Sequence, residues 1–137
     1  MEVKTYEFDE VEAFAEERIH IYPGLAEMEA ARRDAISRQG SPGWRSYIAR
    51  VGGELAAWGR MHTKSGIASL SGAGTAPSHR GKGAQTALLR HRISEAGQLG
   101  CDLLASQAEP GTTSQRNMER EGFRVAYNKA IWTDPRK

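Results

Sequence analysis

Apolar and polar positions alternate most regularly in the middle of the chain. SYIARV (46–51) carries apolar side chains at every second position, and ELAAWGRMH (54–62) follows directly after Gly52-Gly53. Two strand-like runs joined by a two-residue glycine turn are typical of a β-hairpin. A second turn at 63–66 leads into IASLSGAGTAP (67–77), so this region is predicted to form a three-stranded antiparallel meander.

A helical period precedes and follows the meander. Residues 9–20 and 25–38 are predicted to form two helices, with Gly40 placed to end the second. Downstream of the meander, one face of a third helix collects the apolar side chains Leu88, Leu89, Ile93 and Ala96. We expect this helix to end at Gly97 or Gly100 and to pack its apolar stripe on the sheet.

The two ends of the chain add further strands. Residues 3–8 are predicted to form a first strand, CDLLASQ (101–107) a buried strand, and FRVAYNKAIW (123–132) one or two final strands. Thr112 and Gln115 have capping-box spacing, which predicts a short helix before the final strands. The order of elements indicates an α+β fold.

Length and composition favour one domain over residues 1–137, because 137 residues with 39% hydrophobic content can bury a core. The single Cys101 excludes an intramolecular disulfide, and we see no secretory or membrane-length apolar segment. We therefore expect a cytoplasmic protein with no membrane partner. The net charge of +2 is too small for general nucleic-acid binding, so no nucleic-acid partner is expected.

The charges are unevenly distributed along the chain. Seven of the 17 acidic residues lie in the first 17 positions, namely Glu2, Glu7, Asp9, Glu10, Glu12, Glu16 and Glu17. Such a cluster is either a solvated helix face or a surface that attracts a cationic amine. The region around residues 79–92 is instead basic.

In that basic region, HRGKGAQTALLRHR (79–92) places two glycines directly before the third predicted helix. A helix N-terminus presents unpaired N–H groups and a partial positive charge, which together bind anions. Gly81 and Gly83 allow the backbone to close on an anion, and Arg80 and Lys82 add positive charge. The stretch is therefore predicted to form a phosphate cradle.

Two nucleotide-binding motifs do not fit this cradle. A P-loop requires Ser or Thr after Gly-Lys, whereas Lys82 is followed by Gly83 and Ala76 stands in place of the first glycine. A dinucleotide fingerprint requires a third glycine where Thr86 stands, and an acidic residue at the end of the next strand, whereas Asp102 begins that strand.

The strand before the cradle carries small residues at every second position, at Gly72, Gly74 and Ala76. Glycine inside a strand marks a bulge or the close approach of another backbone. A ligand with both a pyrophosphate and a chain of amides would use the strand edge and the helix start together, and coenzyme A is such a ligand. A bulged strand with a tight turn explains either feature alone.

These residues resemble a known family. TAPSHRGKGAQTALLRHRI (75–93) is similar to motif A of the GNAT superfamily of acyl-CoA-dependent acetyltransferases, and SQRNMEREGF (114–123) resembles its motif B. The resemblance implies a single domain with a mixed central sheet, an antiparallel N-terminal meander, helices on both faces and splayed central strands. It implies transfer of an acetyl group from acetyl-CoA to an amine of a small molecule or peptide.

The resemblance also assigns cofactor-binding residues. It implies that the backbone of Ala73, Gly74 and Thr75 pairs with the pantetheine arm, and that Ser114 and Asn117 face the thiol end. The pyrophosphate would be held by the backbone amides of Arg80, Gly81, Lys82, Gly83, Ala84 and Gln85.

Two positions depart from the family pattern. Gln85 replaces the last small residue of motif A, and Met118 stands where many members carry the tyrosine that protonates the departing thiolate. We consider Glu109 as a general base and Tyr127 as a substitute acid. A solvated loop glutamate and a core tyrosine are the structural alternatives for these two residues.

Other candidate residues are less specific. His62 and His79 lack a carboxylate or a second histidine at metal-binding spacing, so no metal is expected. Trp44, Trp58 and Trp132 offer aromatic walls for an acceptor. A non-catalytic acyl-CoA-binding module is the alternative function, favoured by Met118. A nucleic-acid-binding domain is the least supported reading, and a homodimer that pairs sheet edges is consistent with the fold.

Overall fold

The computed structural model of the protein describes residues 1–108, 110–128 and 130. The chain divides into two compact units, of which the first spans Met1–Gln107 and the second begins at Ala108. Glu109 and Trp132, two residues considered above, lie outside the described residues. Within the described part of the chain, no helix has the length and apolar character needed to cross a membrane.

The first unit is built on a six-stranded mixed sheet. Its strands are β1 (Glu2–Glu7), β2 (Trp44–Val51), β3 (Glu54–Lys64), β4 (Ile67–Leu70), β5 (Ala73–Thr75) and β6 (Leu103–Ser106). The order is β1-β2-β3-β4-β6, and β5 pairs with β3 beside β4. All pairs are antiparallel except β4 with β6, which is parallel. The predicted α+β class and mixed sheet are confirmed.

The described residues contain four α-helices. They are α1 (Val11–Arg18), α2 (Leu25–Gln39), α3 (Ala84–Gln98) and, in the second unit, α4 (Thr113–Arg120). The predicted helix at 9–20 is shorter than expected because 3-10 turns flank α1 on both sides. Helix α3 continues through Gly97, whereas Gly100 follows the helix with a φ of 81°.

Helices cover both faces of the sheet, as expected. Trp58 and Gly59 are neighbours on β3, so their side-chain directions point to opposite faces. The Trp58 ring packs edge-on against Phe14 of α1, with ring centroids 6.3 Å apart. A Cβ at Gly59 would lie 3.1 Å from Cζ of Arg92 on α3. Helices α1 and α3 therefore sandwich the sheet.

The hydrophobic core between α1 and the sheet is largely aromatic. Tyr6, Phe14 and Trp58 pack edge-on in series, with centroid separations of 5.8 and 6.3 Å. Ile48 and Ala35 also belong to this cluster, and both side chains are buried. The cluster holds β3 in place, and β5 pairs directly with β3.

The predicted hairpin is confirmed. Gly52 and Gly53 join β2 to β3 with φ values of 59° and 83°. Positive φ at both central residues is the requirement of a type I′ turn, whose twist matches that of the flanking strands.

The predicted third strand is divided into two. β4 ends at Leu70 and β5 begins at Ala73, with Ser71 and Gly72 between them. Gly72 has a φ of 83°, which a continuous strand does not adopt. The chain therefore shifts its pairing along β3 at this point.

In the second unit, the predicted cap of α4 is confirmed, because the Thr112 hydroxyl accepts from the backbone N–H of Gln115 at 3.2 Å. The prediction of final strands is wrong for 123–128, which form none. Val125 and Tyr127 are exposed there by 57% and 78%. Alternating apolar residues form a strand only where a partner strand or a core covers them.

Candidate functional site

The predicted phosphate cradle is formed by the turn that starts α3. Gly81 and Gly83 adopt φ values of 74° and 83°, and Gly83 is the N-cap residue. A Cβ at either position would meet no heavy atom within 4 Å. The glycines are thus required by backbone conformation, and the space in front of the turn is open. A ligand has access to the backbone at both positions.

The electrostatics of this turn favour an anion. The N-terminal amides of an α-helix have no partner inside the helix, and no acidic side chain lies in the first turn of α3. Arg80 and Lys82 are exposed beside them. The amide of Arg80 itself turns back to the carbonyl of Pro77 at 3.5 Å, so the cradle is anchored at that end. These donors fit a pyrophosphate.

His79 ties the cradle to the sheet. Its ring is buried, and Nε2 lies 3.1 Å from Oε2 of Glu54 at the start of β3. Nδ1 is also buried and has no hydrogen-bond partner in the described structure. A buried ring at this position limits the movement of the turn before Gly81.

Backbone groups of β5 are available at one strand edge. The amide of Arg60 donates to the carbonyl of Gly72 (3.3 Å), and that of Ala76 donates to the carbonyl of Ala56 (2.8 Å). Successive backbone groups in a strand point to opposite edges. The N–H and C=O of Ala73 and Thr75 therefore point away from β3, whereas those of Gly74 point toward it.

The sheet opens next to this edge. β6 pairs with β4 as far as the Leu70–Ser106 pair, where the Ser106 hydroxyl donates to the Leu70 carbonyl at 2.7 Å. Beyond this point β5 pairs with β3 alone, within the described part of the chain. The free edge of β5 thus borders a slot between β5 and β6, which confirms the expected splay.

Gln85 links the cradle helix to the strand. Its Nε2 donates to the carbonyl of Gly74 at 2.8 Å and lies 3.4 Å from that of Trp58. The sequence signals an unusual position, because Gln85 stands where the family carries a small residue, but it does not predict this contact. The side chain holds the helix start at a fixed distance from β5.

The glycines of the strand have a structural explanation that the sequence did not indicate. A Cβ at Gly74 would lie 2.4 Å from Nε1 of Trp58, and a Cβ at Gly72 would lie 2.4 Å from Nε of Arg60. These positions are therefore small because side chains of β3 lie against them. The bulge that the sequence offered as one explanation is present at Gly72, where β4 changes into β5. Pairing of the strand edge with a ligand stays a prediction.

The remaining predicted site residues lie outside the first unit. Glu109 lies outside the described residues, and Tyr127 is an exposed residue of the second unit. Ser114, Asn117 and Met118 lie on α4, in the second unit, where the Asn117 side chain accepts from Arg120. Their roles toward the cofactor stay predictions.

Three members of the acidic N-terminal cluster are engaged in ion pairs. Glu7 pairs with Arg45 at 3.4 Å and Glu16 with Arg32 at 2.7 Å. Glu17 pairs with Arg50. The hydrogen bond from Arg32 holds the pKa of the Glu16 carboxyl below its ordinary value. The cluster is thus less negative toward a ligand than its sequence indicates.

Two buried arginines were not singled out as core residues by the sequence. Arg18 is 1% exposed, donates to the carbonyl of Ala31 (2.6 Å) and stacks over Trp58 at 4.5 Å. Arg92 is 4% exposed, and burial lowers its pKa to about 10. Both guanidinium groups flank β3 from opposite faces. Among the described residues, no group of three or more His, Cys, Asp or Glu side chains is arranged to hold a metal ion.

A sequence model described as the acetyltransferase (GNAT) family matches residues 9–123. No curated protein matches the chain in sequence.

Solved structures share its fold at low identity. The acetyltransferase AAC(6')-Iy in complex with the bisubstrate analogue CoA-S-monomethyl-acetylneamine is 20% identical, with a TM-score of 0.70 over 97% of both chains. The aminoglycoside 6'-N-acetyltransferase AAC(6')-IG from Acinetobacter haemolyticus is 18% identical, with a TM-score of 0.66 over 98% of both chains. A ribosomal-protein-alanine N-acetyltransferase from Brucella melitensis biovar Abortus 2308 is 14% identical, with a TM-score of 0.68 over 97% of this chain and 98% of that one.

Proposed function

Because the chain belongs to the GNAT family of acetyltransferases, we propose that it transfers an acetyl group from acetyl-CoA to an amine of a small molecule or peptide. One observation carries the proposal. The free backbone edge at Ala73 and Thr75 is followed, in the same segment, by the open glycine turn at Gly81 and Gly83. A ligand that carries amides and a pyrophosphate on one flexible chain complements both features.

In this proposal the chain binds acetyl-CoA mainly through backbone atoms. The amides at the start of α3 hold the pyrophosphate, with Arg80 and Lys82 adding charge. The N–H and C=O of Ala73 and Thr75 pair with the amides of the pantetheine arm, as an added strand would. The acetyl group then enters the slot between β5 and β6.

The reaction requires a neutral amine next to a polarised thioester. The amine nitrogen attacks the thioester carbon, the C–S bond breaks, the thiolate accepts a proton and the attacking nitrogen loses one. In this proposal, a backbone amide of the β5 edge that the pantetheine arm leaves unpaired donates to the carbonyl oxygen as negative charge develops there. Alignment of amine and thioester in the slot supplies a further share of the rate.

We assign the proton transfers to Glu109 as base, directly or through a water, and to Tyr127 as acid. Tyr127 is 78% exposed, which supports access to a ligand more than a role in core packing. Met118 offers no proton at the position where many relatives carry a tyrosine. Substitution of Tyr127 by Phe tests the assignment, because a general acid contributes about 10²–10⁴-fold to the rate.

We further propose a cationic amine as the acceptor. Two of the similar structures are aminoglycoside acetyltransferases or carry an aminoglycoside-derived analogue. In this chain, acidic side chains of the N-terminal cluster outside the three ion pairs attract a positive ligand, namely Glu2, Asp9, Glu10 and Glu12. Raised ionic strength is expected to increase the KM for such an amine.

The proposal is tested by thiol release with acetyl-CoA and three acceptors: an aminoglycoside, a polyamine and a peptide with an N-terminal alanine. We expect amine-dependent release of CoA, with an acetylated product identified by mass spectrometry. Acetyl-CoA binding without release of CoA on any amine would instead support the non-catalytic acyl-CoA-binding module, which Met118 favours. Absence of binding to acetyl-CoA would contradict both functions.

A further inference from the structure

Arg60 lies at the point where β4 changes into β5. Its Nε donates to the carbonyl of Ser71 at 2.8 Å, and its backbone N–H donates to the carbonyl of Gly72 at 3.3 Å. A Cβ at Gly72 would lie 2.4 Å from the same Nε. Ser71 and Gly72 form a bulge between β4 and β5, and Arg60 holds both residues, one through its side chain and one through its backbone.

The other side of the guanidinium is held by α2 and by aromatic rings. Nη1 lies 3.6 Å from Oδ2 of Asp34 and 3.5 Å from Oε1 of Gln39. The guanidinium carbon stands 5.9 Å from the ring of Trp44 and 5.8 Å from that of Trp58. Its side chain is only 14% exposed. Because Nε and Nη1 of one rigid plane have partners on two different elements, the group has little freedom to move.

The bulge decides which strand edge is free. Before it, β4 pairs with β6 up to Leu70, and after it β5 pairs with β3 alone within the described residues. An extra residue in a strand bends it and changes the direction of the edge that follows. The orientation of the Ala73 and Thr75 backbone thus depends on the conformation at Ser71–Gly72.

We propose that Arg60 is a positioning residue that sets the β5 edge for the amide arm of acyl-CoA. Its side chain contacts Ser71 at the bulge and Asp34 and Gln39 on α2, and it acts on the site through the bulge. This inference rests on the proposed function, because it assigns a role within the same binding site. It adds α2, through Asp34 and Gln39, to the elements that shape that site.

The test compares two ligands on wild type and Arg60→Gln by calorimetric titration. Acetyl-CoA uses the strand edge and the cradle, whereas ADP offers a pyrophosphate without the arm. We expect acetyl-CoA to bind the variant about tenfold more weakly, which corresponds to about 1.4 kcal/mol, with the affinity for ADP unchanged. Arg60→Lys is expected to restore the affinity only in part, since one ammonium replaces a planar fork.

One matched control and one milder variant separate positioning from a general loss of structure. Arg50→Gln also removes an arginine that pairs with a carboxylate, Glu17, and a carbonyl, that of Gly53 at 3.1 Å, away from the bulge. It is expected to leave the ratio of the two affinities unchanged. Asp34→Asn loosens Arg60 from the α2 side and is expected to change the ratio in the same direction, by less.

A second variant approaches the bulge from the other strand. Gly72→Ala displaces the Arg60 side chain, whereas Gly53→Ala imposes the same strain at a φ of 83° with no heavy atom within 4 Å. We expect only Gly72→Ala to lower the ratio, and Arg60→Gln combined with Gly72→Ala to be no worse than the stronger single change.

The outcomes are distinguishable from those of the proposed function. If wild type does not bind acetyl-CoA, the proposed function fails and takes this inference with it. If wild type binds acetyl-CoA but Arg60→Gln and Gly72→Ala bind it equally well, only the role of Arg60 is refuted. Parallel loss of both ligands in folded Arg60→Gln likewise refutes positioning of the arm.

Discussion

Substitution of Gly74 by Ala separates a structural from a ligand-dependent reason for this glycine. Gly74 has an ordinary strand conformation, so alanine is compatible with its backbone. The new Cβ, however, would lie 2.4 Å from Nε1 and 3.1 Å from Cε2 of Trp58. Favourable contact begins at about 3.5 Å, so the indole must move by about 1 Å.

The indole has little space for this movement. It is 8% exposed, it packs against Phe14, and the Arg18 guanidinium stands 4.5 Å above it. Overpacking of a core costs about 1–3 kcal/mol, from which about 0.4–1 kcal/mol is recovered because alanine restricts the unfolded chain. We expect a net loss of about 1–2 kcal/mol, or about 3–10 °C in Tm.

The assay is urea denaturation of the ligand-free protein, with two controls. Gly97→Ala, inside α3 with no heavy atom within 4 Å of the new Cβ, is expected to raise stability by about 0.5–1 kcal/mol. In a Trp58→Phe background the smaller ring reduces the overlap, so Gly74→Ala is expected to cost less than about 0.5 kcal/mol. Unchanged stability of ligand-free Gly74→Ala would refute the steric reasoning.

Three further substitutions test single contacts. Gln85→Ala is expected to lower the free energy of unfolding by about 0.5–1.5 kcal/mol in urea, because it removes the bond to the β5 carbonyl; an unchanged midpoint would argue against that bond. Arg92→Met is expected to raise Tm at neutral pH. Burial lowers the folded pKa to about 10, so the charged side chain opposes folding at every pH below about 10, and we expect relief of this cost to outweigh the lost bonds to the carbonyls of Arg60 (3.1 Å) and Leu88 (3.4 Å). A lower Tm would contradict this. Thr112→Ala is expected to destabilise α4 by about 1 kcal/mol and to speed hydrogen exchange of the Gln115 amide. Faster exchange only in other segments would contradict this prediction.

Features determined by neighbouring residues were predicted well from the sequence. The hairpin follows from Gly52-Gly53, where both residues need positive φ, and the cap of α4 follows from Thr112 three positions before Gln115. The turn before α3 is equally local, because Gly81 and Gly83 precede the helix directly. Each of these depends on backbone preferences that act within a few residues.

Features determined by contacts across the fold were not predicted. The sequence offered a bulge in this strand, but not the contact of Gly72 with Arg60 or that of Gly74 with Trp58, both across to β3. Strand pairing brings these residues together, and the hydrophobic pattern along the chain does not specify which residues pair. The prediction of one or two strands over 123–132 failed for residues 123–128 for a related reason, since alternation indicates a strand only where a partner strand or a core covers it.

The ion pairs of the N-terminal cluster show that the charge on the folded surface also could not be predicted from the sequence. Glu16 and Glu17 contribute to a strongly acidic segment in the sequence, but Arg32 of α2 and Arg50 of β2 partly neutralise them. The charge that a ligand meets is thus set by the fold.

The central claim, that the start of α3 holds the pyrophosphate of acetyl-CoA, is tested most directly by titrating acetyl-CoA into wild type, Gly83→Trp and Gly100→Trp. The two glycines flank the same helix with φ values of 83° and 81° and open space for a side chain. We expect tight binding to wild type and to Gly100→Trp. Gly83→Trp is expected to weaken binding more than about a hundredfold, because loss of two bonds to a charged group costs about 3–6 kcal/mol. Equal affinity in all three proteins would contradict the claim.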